Sequence, residues 1–166
     1  MNRNVIYFNN RRETIMRKKI GILVSGMICL MLLFTGCGSK ETSLQVTDKE
    51  SKTKLLVDVI DTKSDCSLKS QKNGFVIDTG NGKVYGSFMS VADAENLQAN
   101  SFGTSDYKVV TIGDSTDGYS CVLDGDYVHV FKPADSDVYI RLSSSNSESD
   151  IYVAEENVSF VVNTKK

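Results

Sequence analysis

Apolar and polar positions alternate with a period near two along most of the chain beyond Leu55, the pattern of strands with one face turned inward. A first strand is expected over 55–60. Gly74–Asp78 and Lys83–Met89 flank Thr79-Gly80-Asn81-Gly82, a glycine-rich hairpin connection. At Ser90 the period changes. Ser90 with Asp93 makes an N-cap followed by an acidic N3 residue, and Val91, Ala92, Ala94, Leu97 and Ala99 suit one short helix over about 91–99. Strands resume over 107–112, 119–123, 126–131, 138–142, 151–154 and 158–162, with turns at 113–118, 124–125, 132–137, 143–150 and 155–157. Many short strands and one helix predict an α+β, mainly β fold: a small antiparallel β-sandwich or partly open barrel.

Asp124-Gly125 is the sharpest local signal, because a type I′ turn needs positive φ at both positions. If it forms, residues whose numbers sum to 249 face each other. Cys121 then opposes Val128, with Leu123 and Val130 on the same aliphatic face, which reads as core. Ser120 opposes His129, with Val122, Tyr127 and Phe131 around them. A serine beside the chain's single histidine invites a hydrolase reading. Both residues are mid-strand, however, and neither sits in the sharp Gly-x-Ser-x-Gly turn that a nucleophile of this kind uses. His129 is therefore expected to be a surface or half-buried residue packed with Tyr127 and Phe131.

A different pattern occupies the N-terminal quarter. Ile20 to Phe34 is a run of fifteen residues without a charge, preceded by Arg17, Lys18 and Lys19 and followed by Thr35-Gly36-Cys37. As a helix it would reach roughly 22 Å, short of the ~30 Å hydrocarbon core of a bilayer. The basic segment, the apolar run and the small-residue junction resemble the type II signal peptide of bacterial lipoproteins. Phe34 stands where that family carries Leu, while Thr35, Gly36 and Cys37 follow its pattern. The resemblance covers residues 16–39 and implies cleavage after Gly36, lipid attachment at Cys37 and a cell-membrane address on the extracytoplasmic side. Residues 1–15 have no place in such a signal. Met16 is the expected initiator, and Arg12-Glu13 can be encoded by a purine-rich run at ribosome-binding distance from it.

The domain organisation follows. Residues 1–36 form a signal region, and Cys37 with a flexible tether occupies 37–54. A single β-rich domain fills 55–166. The tether is inferred from Ser, Thr, Lys, Glu, Asp and Gln between Gly38 and Lys54, with Leu44 and Val46 as its only large apolar residues.

Charge and cysteine content narrow the chemistry. Residues 37–166 carry 13 Lys and Arg against 20 Asp and Glu, a net charge of −7 that repels phosphate backbones and argues against nucleic acid. Cys29 leaves with the signal and Cys37 is taken by lipid. Cys66 and Cys121 remain, either as a disulfide closing a loop of about 55 residues or as two separate buried thiols. Asp114, Asp117, Asp124, Asp126, Asp135 and Asp137 fall at strand ends, where some of them can gather at one rim. They lack the spacing of a calcium loop, and solvated turns are the expectation. One histidine and two separated cysteines make no metal motif, and no cofactor motif is present.

The resulting expectation is a lipid-anchored cell-envelope protein, non-enzymatic, whose β-rich domain binds a partner protein, peptide or envelope component. The alternatives are a small accessory hydrolase using carboxylates and a structural or immunity-like envelope protein.

Overall fold

The computed structural model describes residues 40–113 and 115–163. The signal region, Gly36 and Cys37 lie outside the described residues, as does Asp114. Among the described residues, ten strands form two antiparallel sheets, accompanied by two helices. The smaller sheet holds β1 (Ser43–Thr47), β2 (Lys54–Val59) and β10 (Val158–Asn163), in the order β1-β2-β10. Four strands build one half of the larger sheet: β3 (Ser67–Gln71), β4 (Gly74–Asp78), β5 (Lys83–Met89) and β9 (Tyr139–Ser144). The other half is β6 (Lys108–Ile112), β7 (Ser115–Leu123) and β8 (Asp126–Phe131), giving the order β3-β4-β5-β9-β8-β7-β6. Helix α1 is Val91–Ser101 and α2 is Glu148–Asn157. The fold is mainly β, without a closed barrel among the described residues.

Alternation explains the main core. Leu44 and Val46 of β1 pair with Val57 and Leu55 of β2, and all four point at the larger sheet. They meet Phe75, Ile77, Val84, Phe131, Ile140 and Leu142, with Ile151 and Ala154 of α2 joining the same cluster. Phe160 of β10 reaches across, its ring centroid 5.2 Å from that of Phe131. The amide of Leu68 donates to the carbonyl of Glu41 at 2.7 Å, which ties the approach to β1 against β3. A second cluster lies on the opposite face of the larger sheet, where Tyr119, Cys121, Val128 and Val130 pack beneath Ala94 of α1. The larger sheet thus carries packed side chains on both faces, although Tyr85 of β5 stays exposed on the second.

The β7–β8 hairpin has the expected register. Ser120 faces His129 and Cys121 faces Val128, with φ of +54° at Asp124 and +92° at Gly125. Strands β4, β5 and β8 have the expected bounds, and α1 runs two residues beyond the expected 99.

Four expectations need correction. The flexible tether over 37–54 is overturned in its second half. β1 lies there, because Leu44 and Val46 alternate and gain a buried face once β2 supplies Val57 and Leu55 opposite them. The folded domain therefore includes β1 and does not start at 55. Strand β3 was absent from the expected elements, since Leu68 is its only large apolar residue and its order comes from pairing with β4. The strand expected at 151–154, with its flanking turns, is instead α2. Ser147 Oγ accepts from the Ser149 amide at 3.1 Å, Glu148 and Asp150 favour the positive end of the helix, and the buried Ile151 and Ala154 fall at helical spacing. Among the described residues there are accordingly two helices, not one. Finally, the turn at 113–118 is shorter than expected. β7 starts at Ser115, and a register shift between Val110 and Ile112 absorbs the difference.

Candidate functional site

The cysteines are not joined. Cys66 and Cys121 are free, buried thiols at the start of β3 and in β7. Four strands separate β3 from β7, so at about 4.8 Å per strand the two are far beyond the Cα distance a disulfide spans. Burial raises both thiols above their ordinary range. Ser64 opposes this at Cys66 through a hydrogen bond, and Ser101 does so at Cys121. Burial thus favours the neutral thiol at both positions.

His129 is also buried, contrary to expectation, and its neighbours come from α2. Nδ1 lies 2.6 Å from Oε1 of Glu155, and Nε2 lies 3.4 Å from Oε1 of Glu148. The Tyr152 hydroxyl donates to the same Glu148 oxygen at 3.2 Å, and its ring stands edge-on to the imidazole at 5.0 Å. Lys108 of β6 approaches the other Glu148 oxygen at 3.7 Å. Ser120 Oγ, across the strand pair, is buried and makes no hydrogen bond. Neither imidazole nitrogen is directed at it. The arrangement clamps α2 onto β8 through two carboxylates, and it offers no nucleophile–base pair.

The turn acids divide between two ends. Asp124 and Asp126 border the β7–β8 turn, whereas Asp135 and Asp137 lie in the connection beyond the other end of β8. The Asp114 residue and the Asp117 side chain lie outside the described residues. Among the described residues, no three His, Cys, Asp or Glu side chains come together to hold a metal ion.

A concavity lies between α1 and the β7–β8 hairpin, and the sequence did not single it out. It is a groove of about 640 Å³, in the range of ligand pockets. Met89, Leu97 and Leu123 give it an apolar floor, and Val122 stands at its hairpin wall. Its helical wall is Asp93, Asn96, Leu97, Asn100 and Ser101, continued by Thr104 beyond the helix. Of the helical positions Asp93, Asn96 and Asn100 are exposed, Leu97 is half-buried and Ser101 is buried. Here only Leu97 is large and apolar. α1 holds to the sheet along the adjoining edge, through Ala94, Leu97 and Ser101, and the buried Tyr119 hydroxyl donates to the Ala94 carbonyl at 2.7 Å. Tyr107 stacks on Tyr119 at 5.9 Å and accepts from Gln98 at 3.0 Å. Burial, then the neighbouring Cys121, pushes the Tyr119 hydroxyl well above its usual range. A helix anchored along one edge, with exposed polar side chains beside it, leaves the groove open.

Three carboxylates stand around it. Asp93 belongs to the cap of α1, accepting from Ser90 Oγ at 2.8 Å, and Asp106 and Asp124 lie on the facing loops. Among the described residues no Lys or Arg lines the groove. Part of the signal that points to it was present in the sequence: Asp93 and Asn96 share one face of the expected helix, and Asn100 joins them because α1 runs on to Ser101. Which way that face turns depends on Tyr119, 18 residues beyond α1. Comparison of the chain with protein-family models, with characterised proteins and with solved structures finds no match.

Proposed function

We propose that this chain is a lipid-anchored extracytoplasmic protein whose β-rich domain is a non-enzymatic binding module, holding a partner protein, peptide or envelope component in the groove beside α1. One observation carries the reading. An open cavity of ligand size, floored by Met89, Leu97 and Leu123 and walled by exposed polar side chains of α1, lies beside the hairpin. The anchor rests on the Thr35-Gly36-Cys37 junction and supplies the address. β1 starts six residues after Cys37, so a lipid there would hold the domain close to the bilayer.

Photo-crosslinking in intact cells tests the binding site. A benzophenone side chain at position 100 should form discrete adducts with an envelope component. The same group at position 72, in the distant β3–β4 turn, should form none of them. No adduct from position 100, or an identical set from both positions, would overturn the assignment.

A further inference from the structure

The groove's chemistry specifies its occupant. Asn96 and Asn100 lie one turn apart on α1, about 6 Å along the helix axis. A carboxamide carries both a donor and an acceptor, like a peptide group. In an extended chain, peptide groups facing the same way recur every two residues, at about 6.7 Å. Two asparagines at this spacing therefore match the backbone of a strand laid along α1. Side chains of such a strand alternate between two directions. One set meets the apolar floor at Met89, Leu97 and Leu123. The other set faces the rim, where Asp93, Asp106 and Asp124 supply negative charge and, among the described residues, no basic residue lines the groove. Resting on the reading of this groove as the binding site, we infer that it takes an extended peptide segment in which apolar residues alternate with lysine or arginine.

Fluorescence anisotropy decides this with the full chain in nanodiscs of zwitterionic phospholipid, empty nanodiscs serving as blank. The probes are fluorescein-labelled hexapeptides alternating lysine with valine and glutamate with valine. The lysine peptide should bind saturably and the glutamate peptide should not. The double variant Asp106→Asn/Asp124→Asn should weaken binding about five- to tenfold, as two partly solvated charge pairs allow. Asparagine tolerates the positive φ at position 124, so the turn is kept. Asp93 is spared because it caps α1. A charge-matched control, Asp135→Asn/Asp137→Asn, lies beyond the other end of β8 and should leave affinity unchanged. Equal binding of both peptides, equal weakening by both double variants, or no binding of the lysine peptide would each overturn the cationic strand. The adducts from position 100 answer separately for the groove, so failure of the peptide class is distinguishable from failure of the site.

Discussion

Removing the imidazole of His129 strands two carboxylates at the seam between β8 and α2. Glu155 is about 10% exposed and its Oε1 sits 2.6 Å from Nδ1, so its charge loses its nearest donor. His129→Leu should therefore cost about 3 kcal/mol in a denaturant melt, because an unpaired buried charge is left behind. The double variant His129→Leu/Glu155→Leu should recover most of that loss. Equal stabilities for the single variant and the parent would show that the pair contributes nothing. The histidine was legible as a register partner of Ser120 and illegible as a buried group. Its burial comes from Glu148, Tyr152 and Glu155 of a helix that the local pattern disguised as strand and turn. At Tyr119 the same scale gives a pH dependence. Its folded-state ionisation is raised above the ordinary value of 10.0, so the stability it confers is complete below that pH and is lost as pH climbs above it. Melts from pH 8 to pH 11 should show that loss in the parent, and Tyr119→Phe should show less of it. An alkaline slope unchanged by the substitution would contradict the assignment.

Among the elements, the β7–β8 hairpin carries the most local information. Gly125 has φ of +92° and open space where a Cβ would stand, so Gly125→Val meets no clash and its cost is backbone strain alone. A loss above about 1 kcal/mol is expected in a thermal melt, and an unaltered melt would show that the turn accepts a β-branched residue. Hairpins such as this one were legible because turn chemistry and alternation sit within a dozen residues. β1 and β3 were not, since each owes its order to a partner strand and carries too few apolar residues to announce itself. For α2 the run Ile151-Tyr152-Val153, of strand-favouring residues, suggested a strand, while the Ser147 cap and the three-residue spacing of Ile151 and Ala154 decided for helix. The groove was illegible for another reason: α1 was foreseen, but its orientation is set by Tyr107 and Tyr119 far along the chain.

For the whole molecule, address and binding surface are separable claims. Metabolic labelling with a palmitate analogue should tag the parent and not Cys37→Ala, and equal labelling of both would remove the anchor. The two free thiols of the folded domain should react with a thiol reagent only on denaturation, and rapid reaction of the native protein would contradict their burial. The groove makes the strongest demand on physics. If its polar stripe is kept for a ligand, the helix is less stable than it need be, and filling the stripe should strengthen the fold. Asn96→Leu/Asn100→Leu should exceed Asn96→Ala/Asn100→Ala by about 1–2 kcal/mol in a denaturant melt, through new apolar contact with Leu97 and Leu123. Alanine is the better helix former, so that order cannot come from helix propensity. A leucine variant less stable than the alanine variant would show that the stripe does not face a fillable groove.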